Sequence, residues 1–133
     1  MDSTKTISVS KEKVDKLEHL LSEFCAQTHT VWSIFVTVTG QVLIQRGFVY
    51  SFDVLAISAL ACGVFNSTME LASIVGEHTF YQFLQEGKHF SIYYIGVSKQ
   101  FLLVSLFDDR TLPGVVKVAG QEFSAQAEQI LRG

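Results

Sequence analysis

Between Ser10 and Gln27, apolar residues recur at three- and four-residue spacing: Val14, Leu17, Leu21, Phe24 and Cys25 form one stripe. That period predicts a helix with one buried side, and Ser10 is placed to cap it. Glu12, Lys16, Glu18 and Glu23 fall on the other side, as contact with water requires. The pattern then changes. Residues 31–38 and 42–48 are rich in β-branched and aromatic side chains, which suit a pleated strand. Thr39-Gly40 between them predicts a tight hairpin turn, because glycine adopts the positive φ such turns need.

A long, nearly uninterrupted apolar segment follows, and a helix is expected from Asp53 to Val75, capped by Ser51 or Asp53. Gly63 is its weak point. Three further strands are expected over residues 79–85, 89–97 and 100–107, with turns at Gly87-Lys88 and Ser98-Lys99. A loop carrying Pro113 leads into a last helix over residues 115–131, where Val115, Val116, Ala119, Phe123, Ala127, Ile130 and Leu131 keep a helical period. The order helix-strand-strand-helix-strand-strand-strand-helix predicts an α/β (α+β) domain: one five-stranded antiparallel sheet with helices on both faces. Residues 1–9 are polar and expected to be a flexible N-terminus; residues 10–133 form the single domain.

The middle helix is the informative element. A surface helix has an apolar stripe and a charged back, yet from Asp53 to Val75 the only formal charges are Asp53 and Glu70. One side holds Val54, Ile57, Ala61, Val64, Thr68, Leu71 and Val75. Another holds Leu55, Cys62, Phe65 and Met69, with Ala59 and Ser73 beside them. One sheet covers only one of these sides, so the second is expected to meet a partner. The expected interface is Leu55, Ala59, Cys62, Phe65, Met69 and Ser73, joined by Phe80, Tyr81 and Phe83 if the strand that follows is a sheet edge needing cover.

The 133-residue chain is 48% hydrophobic and 17% charged, against about 25% charged for an average globular protein. This excludes disorder for most of the chain and fits a surface partly covered by a partner. The balance of 10 basic to 13 acidic residues gives no basic footprint for nucleic acid; Lys11, Lys13 and Lys16 are interleaved with acids on a solvated helix face. Residues 24–45 carry no formal charge, but Gln27, Thr28, His29, Thr30 and other polar groups argue against a membrane span. Cys25 and Cys62 stand apart, with no zinc or redox spacing, and fit buried thiols in a reducing, cytoplasmic setting.

Catalytic motifs are equally sparse. His19, His29, His78 and His89 lack the short pairings of metal sites. There is no nucleophile elbow, Walker loop or dinucleotide fingerprint. No cofactor, metal or catalytic residue is therefore expected. Arg46 and Arg110 are the arginines to weigh for action on a partner's nucleotide, and a solvent-facing role is the simpler reading.

The ordered set of elements resembles the roadblock/dynein light-chain family over nearly all of residues 10–131. The resemblance is carried by the hairpin with its Gly40 turn and Gly47 after the second strand. It continues through the Ala-rich helix ending Glu70-Leu-Ala-Ser-Ile-Val-Gly76, the strands Phe90-Ser-Ile-Tyr-Tyr94 and Phe101-Leu-Leu-Val-Ser-Leu-Phe107, and the C-terminal helix. Two departures stand out: the first turn reads Thr37-Val38-Thr39-Gly40, where members often carry an acid, and Asp108-Asp109-Arg110 closes the last strand. The resemblance, which extends to bacterial Mgl-type GTPase regulators, implies a profilin-like layered architecture. It also implies a homodimer or heterodimer paired through the long helix and an adjacent edge strand. Such a pair binds a small Ras-like GTPase, and some members stimulate hydrolysis by repositioning the GTPase's own residues. A ligand-sensing domain, with Trp32, Tyr50, Phe90, Tyr93 and Tyr94 lining a pocket, and a passive structural subunit are the alternatives.

Overall fold

The computed structural model describes residues 7–47, 53–77 and 81–133. Its elements are α1 (Lys11–Thr28), β1 (Trp32–Thr37), β2 (Val42–Gly47), α2 (Val54–Ile74), β3 (Gln82–Glu86), β4 (Phe90–Val97), β5 (Phe101–Asp108) and α3 (Pro113–Arg132). The expected order is borne out, with boundaries moved by a few residues. Phe48, Ser51 and the expected start of the third strand at Thr79 lie outside the described residues.

The local chemistry explains where elements begin and end. Ser10 Oγ accepts from the Lys13 backbone N–H at 3.3 Å, satisfying a donor that the first helical turn leaves open. α1 stops where His29 turns left-handed at φ 53° and donates its N–H to Cys25 O at 2.8 Å. Asp53 caps α2, accepting from Ala56 N at 3.1 Å. Pro113 opens α3, where its missing N–H costs nothing.

The strands form one antiparallel sheet in the order β2-β1-β5-β4-β3. The two meanders therefore join through β1 and β5. β1 is buried along its whole length, because it has neighbours on both edges and helices on both faces. Its side chains alternate between two cores. Phe35 faces α1 and α3 with Tyr93, Leu103 and Phe107. Trp32, Ile34 and Val36 face α2 with Tyr94, Leu102 and Val104. The one polar pair at the centre of the sheet is matched: Ser33 Oγ donates to Ser105 Oγ at 2.9 Å across the β1–β5 register. β2 carries a bulge beside Phe35 and Val36, where Leu43 has no partner in the register.

α3 packs closely on β4. A Cβ on Gly120 would lie 2.2 Å from Tyr93 Oη and 2.5 Å from its ring. Tyr93 is fully buried and its hydroxyl donates to Gln82 Oε1 at 2.9 Å, so the ring cannot swing aside. Gly120→Ala is expected to destabilise the fold by about 1–3 kcal/mol through overpacking, read as a lowered urea midpoint.

Candidate protein-interaction face

α2 lies along one face of the sheet, and among the described residues its other side is uncovered. Ser58, Ala61, Cys62, Phe65 and Ala72 point to the sheet and are buried. Cys62 Sγ donates to Thr37 O at 3.3 Å, and Asn66 Nδ2 donates to Val38 O at 3.0 Å. These two bonds tie the middle of the helix to the end of β1. Phe65 stacks on Phe83 with centroids 6.2 Å apart, and Phe83 stacks on Tyr94 at 4.6 Å. Gly96 makes this possible: a Cβ there would lie 3.0 Å from the Phe65 ring.

This placement corrects part of the expected interface. Cys62 and Phe65, expected to face a partner, are 4% and 7% exposed and belong to the chain's own core. Met69 is half-buried and packs against the same cluster, as does Phe83. Leu71 and Val75, from the other apolar side of the helix, are exposed. The cause is physical. A helix apolar all round has no polar back to orient it, and its orientation is set by Asn66, Cys62 and the space above Gly96. Leu55, Ala59 and Ser73 lie on the exposed side, together with Leu60 and Ile74. Tyr81 is exposed beside β3, an edge strand of the sheet; Phe80 lies outside the described residues.

The exposed side is strongly apolar: Leu55 is 75% and Ile74 81% exposed. At its centre Gly63 has nothing within 4 Å of a notional Cβ. A glycine inside a helix costs about 1 kcal/mol relative to alanine, and no contact among the described residues requires it. By length and composition α2 would also cross a membrane, yet one side of it rests on the sheet. The sheet has open edges at β2 and β3, which hydrocarbon does not tolerate, so the helix would have to leave its own core to insert.

Beside the helix is an apolar groove of about 280 Å³. Ile57, Leu60, Ala61 and Val64 form its helical wall; Trp32, Tyr94, Ile92, Val104 and Leu106 complete it. Of the aromatic residues expected to line a ligand pocket, Trp32 and Tyr94 do so. Tyr93 lies in the opposite core, Phe90 is an exposed residue that does not line this groove, and Tyr50 falls outside the described residues.

Burial pushes the Cys62 thiol up from its ordinary value, which keeps it protonated and a poor nucleophile. His19, His29 and His89 are exposed. Among the described residues, no group of three or more His, Cys, Asp or Glu side chains is placed to hold a metal ion. Arg110 is tied to Asp108 by Nε and Nη2 bonds of 2.8–3.1 Å, while Arg46 is exposed on the edge strand β2.

The Asp108–Arg110 pair gives a prediction. Hydrogen bonds from the Arg110 side chain and backbone hold the Asp108 carboxyl below its ordinary range. A depressed folded-state value means that the pair's contribution is present above the unfolded pKa and is lost as pH falls through the folded one. Arg110→Ala removes the side-chain donors and keeps the backbone one, so it is expected to raise the Asp108 carboxyl toward, but not fully to, its ordinary range, as followed by a carboxyl NMR titration. An unchanged titration would contradict the assignment.

No family model and no curated protein matches the sequence. Solved structures do. MglB of Myxococcus xanthus superposes with a TM-score of 0.88 over 95% of both chains at 23% identity. The gliding protein MglB of Thermus thermophilus gives 0.84, covering 99% of this chain and 98% of that one, at 20% identity. A Roadblock/LC7 domain from Streptomyces avermitilis gives 0.78 over 86% of this chain and 97% of that one, at 15% identity. At these identities the likeness is one of fold, and the chain has the roadblock fold that its sequence led us to expect.

Proposed function

We propose that this chain is a non-catalytic, roadblock-type binding module of the cytoplasm. It pairs with a second roadblock-type chain through the outward face of α2 and the open edge of β3, and the pair regulates or scaffolds a small Ras-like GTPase. The observation that carries the reading is the uncovered apolar side of a helix in a fold like that of MglB. Leu55, Ala59 and Ser73 belong to the proposed interface with Leu60, Leu71 and Ile74, and Tyr81 joins it at the edge. The GTPase partner rests on the roadblock resemblance. Any stimulation of hydrolysis acts by repositioning the GTPase's own groups, as the roadblock resemblance implies; Arg110 is held by Asp108.

The test is direct. The purified chain is weighed in solution, and a Ras-like GTPase from the same genome is titrated in its GDP- and GTP-bound states while hydrolysis is followed. Binding that depends on the nucleotide supports the reading. A stable monomer that ignores both states sinks it.

The apolar groove beside α2 favours a second reading, a domain that senses a small apolar ligand. Extraction of an apolar molecule from the purified protein, and a thermal shift on adding it back, would support that reading over the first.

A further inference from the structure

We infer that a cleft where the start of α1 meets the end of α3 binds a phosphate monoester with an apolar body. The cleft holds about 500 Å³, within the range of roughly 300–1,000 Å³ that small-molecule sites occupy. Residues 7–10, the first turn of α1, the turn between β4 and β5 and the last turns of α3 surround it. None of its described lining residues belongs to α2 or to the edge strand β3, so the cleft is separate from the pairing face.

The charge of the lining points to the ligand. Lys13 of α1, Lys99 of the β4–β5 turn and Arg132 of α3 line the cleft, with Glu128 as the one carboxylate. The chain as a whole carries a net charge of −3, so this local excess of cations runs against the overall balance. Glu128 is already engaged, accepting from Arg132 Nη2. Lys13 is half-buried, and its ammonium donates to Leu131 O at 2.8 Å. That acceptor is neutral. Among the described residues, neither Lys13 nor Lys99 forms a salt bridge with a carboxylate. A charge drawn out of water is costly unless it is paired, and an anion in the cleft would pair it. The bond to Leu131 also covers a carbonyl at the end of α3, where helix carbonyls would otherwise repel an anion, and it leaves the ammonium donors to spare. Three cations against one carboxylate leave an excess of two positive charges. A phosphate monoester carries about −1.5 to −2 at neutral pH and matches that excess.

The rest of the lining sets the body of the ligand. Ile7, Val9 and Leu131 are half-buried against the core that holds Phe101, and all four residues share the cleft with the cations. A bare inorganic ion meets only the charged groups. An aromatic or short aliphatic body also covers this apolar surface and gains by leaving water. The combination of a few polar groups with an apolar wall is the usual make-up of a small-molecule site.

Phenyl phosphate, inorganic phosphate and benzyl alcohol, titrated into the full chain and followed by amide NMR, test the site. Phenyl phosphate is expected to shift the Lys13, Lys99 and Arg132 amides saturably, and to bind at least tenfold more tightly than either of the other two. Two variants with opposite expected effects separate charge recognition from damage to the fold, and circular dichroism checks that each folds. Lys99→Glu, at an exposed turn position, should weaken phenyl phosphate at least tenfold. Glu128→Gln removes the one carboxylate of the cleft and should tighten it. Flotation with phosphatidate vesicles that phenyl phosphate competes away would support the site with the phosphate carried by a lipid. Binding of phenyl phosphate without flotation would support it with a soluble ligand. Equal affinity for benzyl alcohol, shifts that never saturate, or a Lys99→Glu chain that binds as tightly as the original would overturn the inference.

Discussion

Phe35→Ala is expected to lower the stability of the fold by about 3–5 kcal/mol, the cost of deleting a buried aromatic side chain without collapse of the space it leaves. Phe35 is fully buried on the central strand β1. Its ring stacks on Phe101 at 5.4 Å and meets the edge of Phe123 at 5.6 Å. Phe123 in turn meets Phe24 of α1 at 5.8 Å. One side chain thus links the sheet to α3 and, through α3, to α1. The surrounding strands are hydrogen-bonded on both edges and the helices are anchored at several points, so relaxation into the void is limited. A domain of ordinary stability holds about 5–15 kcal/mol in total, and the variant should lose a large share of it. A urea midpoint that falls with the slope unchanged would show this. The measurement belongs at several protein concentrations, because a paired chain gains stability by mass action. A loss below about 1 kcal/mol would mean that the aromatic cluster is not the keystone of the fold.

The core around Phe35 is legible in the sequence because it obeys simple periods. The α1 stripe and the alternation along β1 and β5 come from residues with water on one side or none at all. Ser10 and Gly40 signal a cap and a turn by chemistry that acts within four residues. The bulge at Leu43 is not legible: it is settled by the register against β1, a long-range property. The orientation of α2 is not legible for a different reason. Periodicity locates a helix face by contrast between polar and apolar sides, and this helix has little contrast. Its orientation depends on Asn66 reaching Val38 and on Phe65 resting above Gly96. Those partners are 28 and 31 residues away in sequence. Pattern alone therefore gives Cys62 and Phe65 to a partner, although they belong to the monomer's core. The broader inference, that one side of this helix has no cover in the monomer, depends only on composition and survives the correction.

That distinction makes Leu55→Asp the most informative single change on the outward face. Leu55 is 75% exposed, so the isolated chain has little to lose there. It lies in the first turn of α2, which carries no acid of its own, and a carboxylate near a helix N-terminus is favourable by about 0.3–1 kcal/mol. The folded monomer should therefore hold or gain slightly in stability. Pairing should respond in the opposite direction. In a symmetric interface the change occurs twice, and each time a charge replaces an apolar contact. A loss of at least about 2 kcal/mol, or some 30-fold in the dimer dissociation constant, is the scale set by interface hot spots. Sedimentation equilibrium beside thermal unfolding separates the two effects. If a pair persists undiminished, α2 is not where the copies meet, and the next surface to try is the exposed apolar strip Leu112, Val115 and Val118 at the start of α3. If the pair is lost while the monomer stays folded, the same protein then tells whether a GTPase requires two copies: binding that disappears with the dimer places the docking surface across both chains, and binding that remains confines it to one.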